Sequence, residues 1–313
     1  MSDRSGIGLV ELSALETLET LTAGRTRVFP GSDKVLAEIE DRIGLGPRYA
    51  YDVLLDLARP WRVPVRLVDF QGGSGDRHFP ADDPEYARCR LSLAGQLALD
   101  AEAHRLAPVP AGLINGTTYR GGTRPPLEPF RALAALGRLL EEPRLPDGEI
   151  LGIVGPPDFL TGCAVSGDLA ALAEGQAVTL RLASRITVTG EHQLNIVSLP
   201  PDASPADVYL AIVGLAEREA ALRIDDVKDI STSKDTGVYM TITLQPGTDP
   251  EATRSRLAEI DGVVTEVRAA FPAPLTALLR SWVERHRGED LTASLAELET
   301  AIHRDQQREV HGR

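Results

Sequence analysis

The stretch PRYAYDVLLDLARPWRVPVRLVDFQGGSGD, residues 47–76, changes its local grammar twice. Its opening, PRYAYDVLLDLA, starts with a proline suited to a first helical turn and predicts a helix to about Ala58. VPVRLVDF, residues 63–70, predicts a strand, and the glycine-rich QGGSGD, residues 71–76, predicts a turn. Upstream, residues 7–22 set Leu9, Leu12, Leu15, Leu18 and Leu21 on one helical stripe. Residues 33–42 predict a second short helix with Ser32 or Asp33 as its N-cap. Three short helices, a strand and a glycine-rich wing form the order of a winged helix, whose third helix would face a DNA major groove.

Downstream, Asp82-Asp83-Pro84 opens what reads as one long helix over residues 84–106, ended by Pro108 and Pro110. A Gly- and Pro-rich stretch, 112–126, leads to a helix over 127–141, and Pro143 and Pro146 mark a boundary near 145. The pattern then alternates. Strands are expected at 176–189, 191–199, 223–230 and 237–245, and helices at 168–174, 204–220 and 249–261. A turn at Lys234-Asp235-Thr236-Gly237 would join the last two strands. From Pro274 to about Gln307 the chain reads as helical, with Leu275, Leu278, Leu279, Trp282 and Val283 on one face. The fold class is α+β.

Composition narrows the functional classes. No apolar run is long enough to span a bilayer, and Met1-Ser2-Asp3-Arg4 does not begin a secretory signal, so a cytoplasmic protein without a membrane partner is expected. Cys89 and Cys163 sit in unrelated segments without zinc-ligand spacing and read as small core residues. The net charge of −13 opposes nucleic-acid binding at first sight, but it is unevenly spread. Residues 42–144 hold 14 Arg and 12 acids, while residues 145–313 hold 15 basic and 26 acidic side chains. A genome-wide arginine bias accounts for that middle segment as readily as a DNA footprint, since the chain has 30 Arg and 3 Lys.

Seven strings occur in one order that resembles the A subunit of bacterial type IIA DNA topoisomerases, DNA gyrase and topoisomerase IV. YDVLLDLARPW (51–61) is similar to the end of that family's recognition helix, and VDFQGGSGD (68–76) to its wing, V-D-G-Q-G-N-F-G. EYARCRL (85–91) stands where the family has R-Y-T-E-x-R-L with its nucleophilic tyrosine. INGTTY (114–119) resembles V-N-G-S-S-G, and GPPDFLTG (155–162) resembles G-P-D-F-P-T-G. Residues 225–244 resemble the tower segment, and LTALLRSWVERHRGEDL (275–291) the helix that begins a coiled coil. The resemblance covers about residues 43–300. It implies a divergent N-terminal helix (1–30), a winged-helix breakage-reunion-like domain (31–144), a tower-like α/β domain (145–270) and a helical segment (271–313) that starts a coiled-coil arm. It further implies a truncated, divergent relative in which the C-terminal gate and the DNA-wrapping domain have no counterpart.

The resemblance assigns Tyr86 as the candidate nucleophile toward a phosphodiester. A phenol near its unperturbed pKa of about 10 needs a neighbouring cation to attack at neutral pH. The family's arginine before the tyrosine is Glu85 here, and its two histidine positions are Ile43 and Leu45. Arg25 or Arg27 could stand in for a further family arginine, although no motif surrounds them. TRPPLEPF (123–130) keeps two prolines, with Arg124 at the position of the family's isoleucine wedge. Candidate DNA contacts are Arg48, Tyr49, Arg88, Arg90 and Arg124. Tyr86 reads more readily as an inherited tyrosine packed on the platform than as a nucleophile, and Arg88 and Arg90 equally as ordinary solvated charge or as phosphate contacts. No metal ligands are assigned to this chain. Mg²⁺ and ATP would come through a B-type ATPase subunit, which with DNA is the implied partner; a homodimer is compatible. The expected function is DNA topological change, as an ATP-dependent type II isomerase if active, with impaired cleavage. The alternative is a catalytically dead paralogue that binds gyrase or DNA and regulates or protects it.

Overall fold

A computed structural model describes residues 7–23, 25, 27–100, 105–119, 122–231 and 237–311. Helices α1 (Leu9–Thr22), α2 (Ser32–Ile43) and α3 (Pro47–Asp56) pack on one another. Of the expected leucine stripe, Leu15 and Leu18 are fully buried, whereas Leu9 is 65% exposed. Gly44, at φ +67°, ends α2 in the left-handed conformation that favours glycine, and Pro47 opens α3.

The long helix expected over 84–106 does not form. Strand β1 (Val68–Gln71) instead pairs antiparallel with β2 (Arg88–Leu91), Val68 opposite Leu91 and Gln71 opposite Arg88. Burial follows a period of two, with Ala87, Cys89 and Leu91 buried and Arg88 exposed. Residues 30–32 secure the other edge of β2. The Ser32 N–H donates to the Ala87 carbonyl at 2.9 Å, and the Cys89 N–H to the Pro30 carbonyl at 3.1 Å. Helix α4 (Leu93–Ala98) follows, capped by Ser92, whose hydroxyl accepts the Gly95 N–H. Next come β3 (Leu99–Asp100) paired with β4 (Arg105–Leu106), a short α5 (Ala111–Asn115), and the hairpin of β5 (Thr117–Tyr119) and β6 (Gly122–Arg124). Helices α6 (Pro129–Glu141) and α7 (Asp147–Val154) complete the first part.

Strand β7 (Ala164–Ser166), helix α8 (Leu169–Ala173) and strand β8 (Val178–Ala183) come next. They are followed by β9 (Ile186–Thr189), β10 (Gln193–Ile196), α9 (Pro205–Arg218), β11 (Ile224–Asp229), β12 (Met240–Leu244), α10 (Pro250–Leu257) and β13 (Val264–Ala269). The strand expected over 176–189 is split, because its halves serve different sheets. β8 lies in a five-stranded sheet of order β5-β6-β13-β8-β7, and β9 in a four-stranded antiparallel sheet of order β11-β12-β10-β9. The unexpected β13 runs antiparallel to β8, and its Ala269 sits parallel beside Thr123 of β6. This return strand ties the later sheet to the earlier hairpin. Of the turn expected at 234–237, Lys234, Asp235 and Thr236 lie outside the described residues.

The buried apolar side chains form two clusters. One contains residues from Ile7 through Leu182 and from Ala269 through Ile302, Leu145 among them. The other runs from Leu194 to Val263 and seats α9 and α10 on the four-stranded sheet. The terminal segment forms two helices rather than the expected one, α11 (Leu275–Arg285) and α12 (Leu291–His311), separated by a bend containing Gly288 at φ +101°. Helix α12 packs back on α4 and α6, with Arg66 paired to Asp305 and the His303 ring stacked on Phe130 at 4.5 Å. Among the described residues no helix is long and apolar enough to cross a membrane.

Candidate functional site

Residues 72–87 connect β1 to β2 and bring Tyr86 to the surface, where it is 71% exposed. The connection is densely bonded. The Asp76 carboxylate accepts the N–H groups of His78 and Phe79 at 2.7 and 2.8 Å. The Asp82 carboxylate accepts the Gly73 N–H at 2.7 Å, while the Asp82 N–H donates to the Gly73 carbonyl at 2.9 Å. The Tyr86 N–H donates to the Asp83 carbonyl at 2.9 Å and closes the turn before β2. Gly72, at φ +101°, lies beneath Tyr86; a β-carbon there would sit 3.2 Å from the Tyr86 carbonyl oxygen.

Three side chains fasten this loop to its surroundings, and none stood out in the sequence as functional. From α3, the buried Tyr51 donates its hydroxyl to the Asp82 carbonyl at 2.7 Å. After α3, Arg59 donates to the Ser74 carbonyl at 3.1 Å. Arg77 reaches the other way and donates to the carbonyls of Leu199, Pro200 and Ala203. The spacing of a tyrosine on α3 and two arginines flanking glycine-rich sequence was visible. Their backbone partners, up to 126 residues away, were not.

Burial, followed by the charges of Cys89 and Asp82, pushes the Tyr51 phenol up from 10.0 to about 12. The folded state therefore holds this proton after the unfolded chain has released it. Tyr51's contribution to stability is complete below pH 10 and is lost as pH rises toward 12. Denaturant melts of the native chain and Tyr51→Phe should show the native chain losing stability more steeply above pH 10. Parallel pH profiles would contradict this linkage.

The candidate residues divide between two places. Tyr86, Arg88 and Arg90 share the hairpin. Arg88 is exposed, opposite Gln71. Arg90 is engaged within the protein, donating to Asp69 at 3.1 Å and lying over the Phe29 ring at 4.2 Å. Tyr49 and Arg124 line a cleft shared by α3, the β5–β6 hairpin and residues 200–202. Arg124 donates to the Gly112 carbonyl, and desolvation lowers its pKa from the ordinary arginine value. Arg48 is exposed in the first turn of α3, and Tyr49 is 58% exposed beside it. Ile43 is exposed at the end of α2, Leu45 packs partly on the first core, and Glu85 is exposed next to Tyr86. Arg25 and Arg27 are both exposed. Cys89 is buried, as a core residue should be, and its thiol is pushed up to about 12 by desolvation. Cys163 is half-buried, with Thr161 donating to its sulfur. Among the described residues no group of three or more His, Cys, Asp or Glu is placed to hold a metal ion.

No family model matches the chain. It is 24% identical over 277 residues to the A subunit of DNA gyrase from Kosmotoga olearia, an alignment covering 79% of this chain and 34% of that protein. Against the DNA gyrase A subunit of Granulibacter bethesdensis it is 26% identical over 242 residues, 68% of this chain and 25% of the other. Against the A subunit of DNA topoisomerase 4 from Caulobacter vibrioides it is 24% identical over 216 residues, 59% and 28% respectively. The aligned part thus spans about a third or less of each of these relatives.

Proposed function

From a distant relationship to the A subunits of DNA gyrase and topoisomerase IV, we propose that this chain is a DNA-binding A-subunit-like protein acting in DNA topological change. The observation that carries the reading is Tyr86, displayed to solvent by a hydrogen-bonded hairpin loop that Tyr51 fastens to α3. In this reading α1 to α3 and the β1–β2 hairpin act as a winged helix, and the part around the four-stranded sheet acts as the tower. The division near 145 remains the proposed domain boundary. The change of hydrophobic core between Leu182 and Leu194 marks a second place where the chain could be cut.

The exposed Arg48, Tyr49 and Arg88 are the side chains best placed for a DNA backbone. Arg90 and Arg124 contribute less, being committed to Asp69 and to the Gly112 carbonyl. Cleavage would form a bond between the Tyr86 oxygen and phosphorus while a deoxyribose oxygen leaves with the proton. The chain's own residues serve this step poorly. Glu85 puts a carboxylate beside the phenol, and Ile43 and Leu45 can neither donate a hydrogen bond nor share charge. In the family, a B-type subunit contributes ATP turnover and Mg²⁺, and partnership with such a protein is part of the proposal. The same deficits favour a second reading, a catalytically silent paralogue that regulates or protects gyrase.

Plasmid relaxation and cleavage with the cognate B subunit, beside a DNA-binding titration, tests both readings. DNA binding is expected to weaken steeply with salt, with a slope of about −0.9 per phosphate neutralised. Cleavage is expected to be weak or absent, and any that occurs should vanish in Tyr86→Phe. Glu85→Arg alone should not restore it. One oxyanion contact is worth about 2.7–4 kcal/mol, and members of one catalytic unit do not add independently. Failure to bind DNA at low salt would defeat the primary reading. Robust cleavage in Glu85→Arg would refute the roles given to Ile43 and Leu45.

A further inference from the structure

Helices α6 and α12 pack together and leave an open groove between them. Leu133 and Leu295 form its buried floor, and Phe130 and Leu140 are partly covered beside them. Its walls are low: Ala134 and Gly137 on α6, Thr292 and Ala296 on α12. Both helices thus present an i, i+3, i+4, i+7 face, from Phe130 on α6 and from Thr292 to Glu299 on α12. Past Leu140 and Thr292 the groove continues over the bend between α11 and α12, where Val283 adds apolar surface. The two sections enclose about 390 and 680 Å³. Gly137 lies inside α6, where glycine weakens a helix, and a β-carbon there would meet nothing within 4 Å. The rim is acidic. Glu141, Glu284, Glu289, Asp290 and Glu299 line it against Arg280 and Arg287. Arg280 is held by Asp147 and by the carbonyls of Pro143 and Leu145, and Arg287 pairs with Glu284 at 2.6 Å. Glu289 and Glu299 face histidines, His286 at 3.3 Å and His303 at 4.0 Å.

We propose that this groove docks a basic amphipathic helix of a partner protein, its apolar side chains entering over Leu133 and Leu295 and its cations meeting Glu289 and Glu299. An amphipathic helix lays anchors at i, i+3, i+4 and i+7 into an apolar groove, the spacing that both walls offer. Small wall residues let a third helix come within the roughly 8–10 Å axial distance of packed helices. The 13 residues of α6 span about 20 Å, enough to seat three to four turns of such a helix. The acidic rim selects the sign of the partner's charge, since complementary potentials set specificity at an interface. That rim repels a nucleic-acid backbone, and the net charge of −13 opposes a second copy of this chain. The proposal stands independently of Tyr86 and of any activity at DNA.

The test uses the full chain and a fluorescent peptide of leucine and lysine, about 14 residues long, with its leucines at that helical spacing. One comparison peptide carries glutamate in place of lysine, and another has the same composition with the leucine positions scrambled. Anisotropy titrations at physiological salt are expected to show saturable binding with a micromolar Kd, and each comparison peptide should bind about tenfold or more weakly. Gly137→Trp fills the groove from α6, where open space accepts it, and should weaken binding about tenfold or more without loss of fold. Ala296→Trp does the same from the exposed facing wall and decides the matter if Gly137→Trp does not fold. Glu299→Lys should lower affinity for the lysine peptide and raise it for the glutamate peptide. The proposal is overturned by absent saturation, by equal binding of the scrambled peptide, or by undiminished binding in a folded groove variant. It is also overturned if the native chain forms a dimer that Gly137→Trp abolishes, which would put a second copy in the groove.

Discussion

Gly116→Ala is expected to destabilise the chain by on the order of 4 kcal/mol, among the largest effects of any single substitution. Gly116 has φ +68° and ψ −169°, a region that essentially only glycine occupies. A β-carbon there would lie 2.4 Å from the Arg124 carbonyl oxygen and 2.8 Å from the Pro126 nitrogen. Both are backbone atoms of the β6 exit, so neither can swing aside as a side chain would. The glycine lets the chain turn directly from α5 into β5 beneath the two prolines. Its neighbour Asn115 acts as a surrogate strand for residue 65. The Val65 N–H donates to the Asn115 Oδ1, and the Asn115 Nδ2 donates to the Val65 carbonyl, both at 2.8 Å. Asn115→Ala would leave both buried backbone groups unmatched, at a cost of roughly 2–4 kcal/mol. Asn115→Asp keeps the acceptor for the Val65 N–H but sets a buried carboxylate oxygen against the Val65 carbonyl, and should cost at least as much as Asn115→Ala. Urea melts would measure all three. A Gly116→Ala protein within about 0.5 kcal/mol of native would show that the turn relaxes freely.

Arg77→Ala should cost roughly 3 kcal/mol and loosen the coupling between the hairpin loop and the second core. The native guanidinium is half-buried and donates to Leu199 at 3.2 Å, Pro200 at 2.6 Å and Ala203 at 3.1 Å. These carbonyls precede α9, which seats the second core, so one side chain on the β1–β2 connection fixes the entry to that helix. Hydrogen bonds from a charged donor contribute about 1.5–3 kcal/mol each, but three from one group do not add fully, and water can reach part of the gap. Lysine keeps the charge without the planar fork, so Arg77→Lys should recover only a minority of the loss. Calorimetry should then resolve an early transition, with amide exchange accelerated across residues 186–263. A single unshifted transition in Arg77→Ala would show that the loop contributes nothing to the coupling.

Much of the first part was legible from local signals. The glycine and proline at the ends of α2 and α3, the leucines of α1, and the glycine-rich turn after Phe70 each carry their conformation within a few residues. The place of Tyr86 was not legible: the sequence sets it in a helix over 84–106, whereas it lies in the turn that leads into β2. Asp82-Asp83-Pro84 misled because it is a good helix opening, and EYARCRL suits a helix about as well as a strand. The residues that choose between them lie elsewhere: Val68–Gln71 on one side of β2 and residues 30–32 on the other. Likewise nothing inside 176–189 announces that β8 and β9 part, since the separation is set by β13 and β10, which pair with them.

The residue types of the candidate site could be read from the chain alone, as could the α+β class and the helices α1 to α3. Which arginines stay exposed was settled by folding. Arg48 and Arg88 face solvent, while Arg90 is held by Asp69 and Phe29 and Arg124 is turned into the cleft toward Gly112. Helix and turn preferences arise from nearest neighbours along the chain. The environment of a charge arises from whatever folding brings around it, and for Arg90 that is a carboxylate 21 residues away on the facing strand.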